Sequence, residues 1–266
     1  MEDIKNILEK YCEVYGFCSF DEIKEHLIDC RAKSRIPQNA KTVITILFPY
    51  YLGEEAYENL NVSRYAAVRD YHEVASLYLS QIAEKLKEIY PCNEFVFFAD
   101  NSPIPEVFAA AKSGVGVKGR NGLLINEKYG SWIFIGEIVT DLYIPCENKE
   151  IKLCHGCYEC VEACPTGVLK DEKFDPDRCL SHISQKKGEI PEEYRQMMKN
   201  LGCAWGCDEC QKACPYNKNA EKTTLEEFIK SAEPFVTEDT QIEGRAFAWR
   251  GEKVIKRNLR TVSNEF

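Results

Sequence analysis

The chain has 266 residues, 44% hydrophobic and 29% charged, a folded composition sized for one large domain or two modest ones. Its formal net charge of −9 gives the whole no attraction for a polyanion, so contact with RNA requires a local basic patch. No apolar run approaches the ~20 residues of a membrane helix, and Met1-Glu2-Asp3-Ile4-Lys5 lacks the signal-peptide pattern, so a cytoplasmic location is expected.

From the N-terminus, residues 3–15 place Ile4, Leu8 and Tyr11 on one face, which predicts a helix. Residues 41–48 are a β-branched apolar run ending at Pro49 and are expected as a buried strand. A long helix is predicted over 63–90, where Val74, Leu77, Tyr78, Ile82, Leu86 and Ile89 recur at helical spacing before Pro91. Arg64, Tyr65, Arg69, Asp70, Tyr71 and His72 concentrate charge and aromatic surface near its start. Residues 94–99 read as a second buried strand. Asp100-Asn101-Ser102-Pro103 follows it directly, at the kind of strand end where α/β proteins build ligand sites. Residues 114–122 are glycine-rich and basic, suited to bringing backbone amides up to an anionic or amide-rich ligand. Residues 123–126 and 131–140 flank Glu127-Lys128-Tyr129-Gly130 and are expected as a hairpin. Plainer readings stand beside these: a charged helix face is solvated, and an Asp-Asn-Ser-Pro run is a turn.

Fourteen cysteines are the strongest signal. In a reducing compartment they point to metal or cluster ligation rather than disulfides. Cys12, Cys18, Cys30, Cys92 and Cys146 are scattered and read as small packing residues. The other nine lie between residues 154 and 214. Cys154, Cys157, Cys160 and Cys164, with Pro165, have the C-x2-C-x2-C-x3-C-P spacing of bacterial ferredoxins, in which the fourth cysteine serves a second [4Fe–4S] cluster. Cys207, Cys210 and Cys214, with Pro215, repeat the motif with one cysteine missing. Cys179, behind the acidic lead-in Asp175-Pro176-Asp177-Arg178, is the preferred fourth ligand, and Cys203 is the alternative. Crossed ligation then assigns Cys154, Cys157, Cys160 and Cys214 to one cluster and Cys164, Cys179, Cys207 and Cys210 to the other. The stretch between Cys179 and Cys207 becomes an insertion with one helix near 191–201. Farther on, Thr224-x-x-Glu227 suggests a capping box. Arg245, Arg250, Lys253, Lys256, Arg257 and Arg260 form a local basic stretch.

Taken together, Ile36-Pro37, residues 40–44, Arg64-Tyr65-Ala66, Asp70-Tyr71-His72, Asp100-Asn101-Ser102-Pro103, the 114–120 loop, residues 130–137, the cysteine motifs and Arg257-Asn258-Leu259 resemble the epoxyqueuosine reductases of tRNA queuosine biosynthesis. The resemblance covers nearly the whole chain. It implies a cobalamin enzyme, related to reductive dehalogenases in its cofactor-binding domain, that removes the epoxide oxygen of a tRNA wobble nucleoside in a two-electron reduction. Two [4Fe–4S] clusters would feed it electrons from an external low-potential donor. By the same resemblance Asp100 is the proton donor, its pKa expected to be raised by burial. Arg64, Tyr65, Asp70, Tyr71, His72, Ser113, Gly114, Gly116, Lys118, Arg120, Ser131 and Trp132 are expected to line the corrinoid. The sequence departs from the family at Val117, where a tryptophan is usual, at Arg120, and at Val107 after Glu106. Family members also carry a C-terminal helical-repeat extension that helps hold tRNA; this chain reads as a short form ending at Phe266.

The expected fold is α+β: an α/β cobalamin-binding domain of the reductive-dehalogenase and nitroreductase kind over residues 1–145, a ferredoxin-like two-cluster domain over 146–218, and C-terminal helices over 219–266 packing back, in a monomer. The competing readings are another corrinoid-dependent reductase with a different acceptor, and an iron–sulfur electron-transfer protein without its own substrate.

Overall fold

A strand whose every residue is apolar or β-branched can be satisfied only with both faces covered, and residues 42–49 meet that condition. In the computed structural model, which describes residues 1–147 and 149–263, they form β2 and are buried at every position. The chain divides into two compact units, each built from separate stretches.

The first unit takes Met1–Phe48, Tyr71–Glu127 and Ile133–His155. Its elements are α1 (Glu2–Leu8), β1 (Tyr15–Ser19), β2 (Thr42–Pro49), α2 (Tyr71–Ile89), β3 (Phe95–Phe98), α3 (Glu106–Ser113), β4 (Val117–Lys118), β5 (Leu124–Ile125) and β6 (Ile133–Thr140). A four-stranded sheet runs in the order β1-β2-β6-β3, with β1 antiparallel to β2 and β3 antiparallel to β6. Helix α2 packs on one face and α3 on the other. On the α3 face, Val43, Phe98, Ile104, Ala109 and Val139 form one apolar cluster, and Leu47, Ala110, Val115, Leu124 and Ile135 another. On the α2 face a Cβ at Gly136 would lie 2.7 Å from Leu79 and 2.9 Å from Phe48. The bare glycine is what lets α2 approach β6.

Four expectations change here. The first helix stops at Leu8, because residues 15–19 pair with β2 instead. The long helix begins at Tyr71; Arg64–Ala66 is a separate 3-10 turn, and Leu77 and Ile89 stay exposed. β3 is an edge strand and only partly buried. The expected hairpin does not form: β5 pairs with β4 and β6 pairs with β3, because the Gly119 N–H to Leu123 carbonyl bond closes a turn inside the glycine-rich segment.

The second unit takes Pro49–Asp70, Lys128–Trp132 and Gly156–Phe266. It holds α4 (Glu159–Glu162), α5 (Leu180–Ser184), α6 (Glu192–Leu201), α7 (Glu209–Lys212), α8 (Glu226–Lys230) and α9 (Glu252–Ser263). Residues 49–70 and 128–132, assigned from sequence to the first domain, thus group with the cysteine-rich half. Their backbone explains it: Ser63 N–H donates to Trp205, Ala204 N–H to Asn61, and Thr223 N–H to Tyr51. Helices α4 and α7 carry Cys160 and Cys210 at matching positions and pack against each other. Helix α8 has Leu225 at its N-cap, one residue after the Thr224 expected there. Asn258, fully buried on α9, donates to the carbonyls of Ser184 and Ala204 at 2.7 Å each. Arg257 reaches the carbonyls of Lys186 and Gly188. This motif fastens α9 across α5. Among the described residues, no helix is long and apolar enough to cross a membrane.

Candidate functional site

In the first unit, polar chemistry gathers where β3 ends. The chain leaves Phe98 and passes through Asp100 and Asn101 at φ 56° and 44°, left-handed values that Asp and Asn tolerate better than most residues. It then enters α3 at Glu106. His72, on the first turn of α2, sets Nε2 2.8 Å from Asp100 Oδ2. Its ring stacks on Tyr71 at 4.1 Å, and Tyr71 stacks on Phe134 of β6 at 4.2 Å and 8°. This aromatic array holds the imidazole against the carboxylate.

The electrostatics reverse one expectation. The His72 hydrogen bond holds the Asp100 carboxyl below the usual carboxylate range, outweighing burial, because the side chain is 48% exposed and well partnered. The raised acids lie behind it. Burial, reinforced by the Asp100 charge, pushes Glu106 up to about 7. Glu137, opposite Phe98 in the β3–β6 register and wholly buried, is held well above the usual range by burial and by Glu106. Sequence reasoning assigned neither glutamate a role. The available signal was a charged residue at 137 inside an apolar strand.

The residues expected around a cofactor fall in both units. In the first, Tyr71 and His72 belong to the array just described. Ser113 is buried and bonded to Thr45 at 3.0 Å, so it packs rather than presents. Gly114 is the left-handed C-cap of α3, and a Cβ on Gly116 would meet the Ile125 carbonyl at 2.6 Å. Gly114 therefore answers first to the end of α3, and Gly116 to the close approach of β5. Lys118 and Arg120 are exposed.

In the second unit, Arg64 is buried, its guanidinium 4.5 Å from the Trp132 ring, 4.8 Å from Tyr57 and 5.5 Å from Tyr51, with Glu54 at 2.7 Å. Trp132 is wholly buried. Ser131 bonds to Gln211 and Asn217 at 2.9 Å each. Tyr65 accepts from Gln185, and Asp70 donates its backbone N–H to Gly244. Arg64, Ser131 and Trp132 thus build the interior of their unit. Three of the six residues of the basic C-terminal stretch are ion-paired: Arg245 with Glu233, Lys256 with Glu252 and Arg260 with Glu238.

The cysteines separate by environment. Burial raises the Cys164 thiol, but hydrogen bonds from the Thr166 hydroxyl and the amides of Leu169, Thr166 and Gly167 outweigh it and lower its pKa. A thiolate cradled by donors is what a cluster ligand requires. Cys179 lies close enough to Cys207 to interact with it. Cys203, the alternative, is occupied as a donor to the Trp205 and Gly206 carbonyls at 3.3 and 3.6 Å, and burial raises its pKa. The donor set of the second unit therefore fits Cys179 better. Cys154 N–H donates to the Lys118 carbonyl in the first unit.

Residues 153–217 match the family described as "4Fe-4S double cluster binding domain", and residues 31–101 match "Epoxyqueuosine reductase QueG, DUF1730". The epoxyqueuosine reductase of Lactococcus garvieae is 34% identical over 241 residues, covering 84% of this chain and 68% of the relative. That of Escherichia coli is 35% identical over 197 residues, covering 73% of this chain; the chain thus spans about half of that relative's length, 50%. Among solved structures, epoxyqueuosine reductase from Streptococcus thermophilus superposes with a TM-score of 0.82 at 24% identity, covering 98% of this chain and 80% of that one. An epoxyqueuosine reductase with an epoxyqueuosine-modified tRNA stem loop gives 0.80 at 23%, with the same coverage. A catabolic reductive dehalogenase gives 0.52 at 15%, covering 96% of this chain and 37% of that one. The last three are likenesses of fold, and they bear out the expected α+β class. With a curated relative 34% identical and matched over 68% of its length, and with a double-cluster segment in place, the chain belongs to the epoxyqueuosine reductase family.

Proposed function

We propose that the chain is an oxidoreductase that reduces epoxyqueuosine to queuosine in tRNA, with two [4Fe–4S] clusters as its electron path and cobalamin as its cofactor. The reaction takes two electrons from an external low-potential one-electron donor and two protons; the epoxide oxygen leaves as water and a carbon–carbon double bond remains. The observation that carries the reading is the Asp100–His72 pair at 2.8 Å, half-exposed at a strand end. It supplies an acid positioned for a departing oxygen in a chain that also holds a double-cluster segment. Because His72 holds the Asp100 carboxyl low, the pair acts as one donor: its proton rests on the imidazole and reaches the oxygen through the Asp100–His72 contact.

The clusters are assigned Cys154, Cys157, Cys160 and Cys214, and Cys164, Cys179, Cys207 and Cys210. A corrinoid, when bound, would supply low-valent reducing chemistry at the epoxide. Exposed Lys118 and Arg120 suit its phosphate and amide groups, Gly114 at the end of α3 keeps the backbone there bare, and the Tyr71–His72 array offers a flat polar face. The test is anaerobic: cluster-reconstituted protein, cobalamin, a low-potential reductant and an epoxyqueuosine-bearing tRNA stem loop, with the digested nucleoside weighed by mass spectrometry. Loss of one oxygen atom in the intact protein, abolished in Asp100→Asn, supports the reading. Cobalamin binding without deoxygenation indicates another acceptor, and no cobalamin binding with both clusters intact indicates an electron carrier.

A further inference from the structure

Glu106 and Glu137 carry buried carboxylate oxygens in the first unit. Both carboxylate oxygens of Glu137 and Oε1 of Glu106 are buried without a hydrogen-bond partner. An ionised carboxylate so placed costs several kcal/mol unless a cation or donors offset it. None does so here. Lys112 of α3 is engaged by Glu22 at 2.8 Å. Among the described residues no three His, Cys, Asp or Glu gather as they would around a metal ion. The groups facing the pair are Asp100, His72 and Ser102, with Cys18 of β1 acting on Glu137 from the neighbouring strands.

The three carboxyls are graded by depth. Asp100 is 48% exposed, Glu106 is half-buried, and Glu137 is wholly buried. The amide and the charge of Asp100 both act on Glu106, so the two residues are neighbours. Affinity for a proton rises along the same line, from lowered at Asp100 to about 7 at Glu106 and higher at Glu137.

We propose that Glu106 and Glu137 are a proton store behind Asp100, with Glu106 the positioning residue that returns a proton to the Asp100–His72 pair after each reduction. The proposal rests on the deoxygenation reading above, in which every epoxide consumes two protons. Asp100 and His72 deliver a proton to the oxygen, Glu106 replaces it, burial and the Asp100 charge keep Glu106 protonated between turnovers, and solvent refills the line through exposed Asp100.

Infrared titration of the full chain, without substrate, reads the store directly, because a protonated carboxyl has a carbonyl stretch that a carboxylate lacks. The expected spectrum at pH 6 contains buried carboxyl bands. One component is lost with a midpoint near 7 and is absent from Glu106→Gln; a second persists to higher pH and is absent from Glu137→Gln. Asp100→Asn, which removes the facing charge, moves the titrating midpoint down. In the deoxygenation assay, turnover falls as pH rises through about 7, and Glu106→Gln lowers turnover at least about tenfold and removes that limb of the profile. No protonated buried carboxyl at pH 6, or Glu106→Gln turning over with unchanged rate and unchanged pH profile, overturns the proposal. If the unaltered protein fails on the stem loop, the functional reading falls, and the infrared titration still decides whether the store exists.

Discussion

Arg64, expected on the cofactor, is packed in the structure inside an aromatic cage. Its guanidinium lies within 6 Å of three aromatic rings, with Trp132 nearest at 4.5 Å, and its side chain is 7% exposed. A cation over an aromatic face contributes ~0.5–1 kcal/mol at exposed sites and ~2 or more when desolvated. Three rings share one cation here, so their contributions do not sum, and about 2 kcal/mol is a fair figure for the cage. The Glu54 pair adds less than ~1 kcal/mol, because that carboxylate is 69% exposed and screened. Arg64→Met keeps the volume and removes both, for an expected loss of about 2–3 kcal/mol. Asp208, which accepts the Arg64 backbone N–H at 2.7 Å, keeps its partner. Arg64→Lys should do no better, since a compact, strongly hydrated ammonium does not stack as a guanidinium does. In an anaerobic urea titration followed by tryptophan fluorescence, the midpoint should fall by about 1 M at the slope usual for such chains, with cobalamin affinity of the folded protein little changed. A midpoint within ~0.2 M of the parent, together with lost cobalamin binding, would refute the structural role and restore Arg64 to the cofactor site.

Three further outcomes follow from the same geometry. Cys203→Ser should retain both clusters by iron content and electron paramagnetic resonance, since Cys203 donates to two backbone carbonyls, whereas Cys179→Ser should lose one; the reverse pattern would exchange their assignments. Glu106, near 4.3 when unfolded and about 7 when folded, binds protons more tightly in the native chain, so it lowers stability as pH rises from about 4 to 7 and then levels off. The penalty is about 3–4 kcal/mol at pH 8, and Glu106→Gln should flatten that slope in denaturation measured at pH 5 and pH 8. Gly136→Ala, which forces a methyl to within 2.7 Å of Leu79 and 2.9 Å of Phe48, should cost about 1–3 kcal/mol by thermal unfolding; a neutral effect would show that α2 moves aside at no cost.

Covalent spacing and short-range pattern were legible in the chain itself. The cysteine intervals specify a double-cluster segment because three thiolates within one or two turns can reach a single cluster. The apolar run at 42–49 and the helical repeat from Val74 to Leu86 are local consequences of burial, and both appear as β2 and α2. Where sequence reading failed, the deciding partner lay far along the chain. The segment 15–19 is a strand only because β2 lies beside it, and β6 turned to β3 rather than to its sequence neighbour. Arg64 and Trp132, separated by 68 positions, are packing residues because each is the other's wall. Ionisation was the least accessible of all. A carboxyl's pKa depends on depth and on which charges and donors it meets, and neither is encoded locally. The sequence alone therefore determined the family, the cluster chemistry and the place of Asp100 at a strand end. Only the folded chain decided that Asp100 is the exposed, low member of its carboxyl group and that the proton-holding acids, Glu106 and Glu137, stand behind it, because burial and proximity are properties of the tertiary structure.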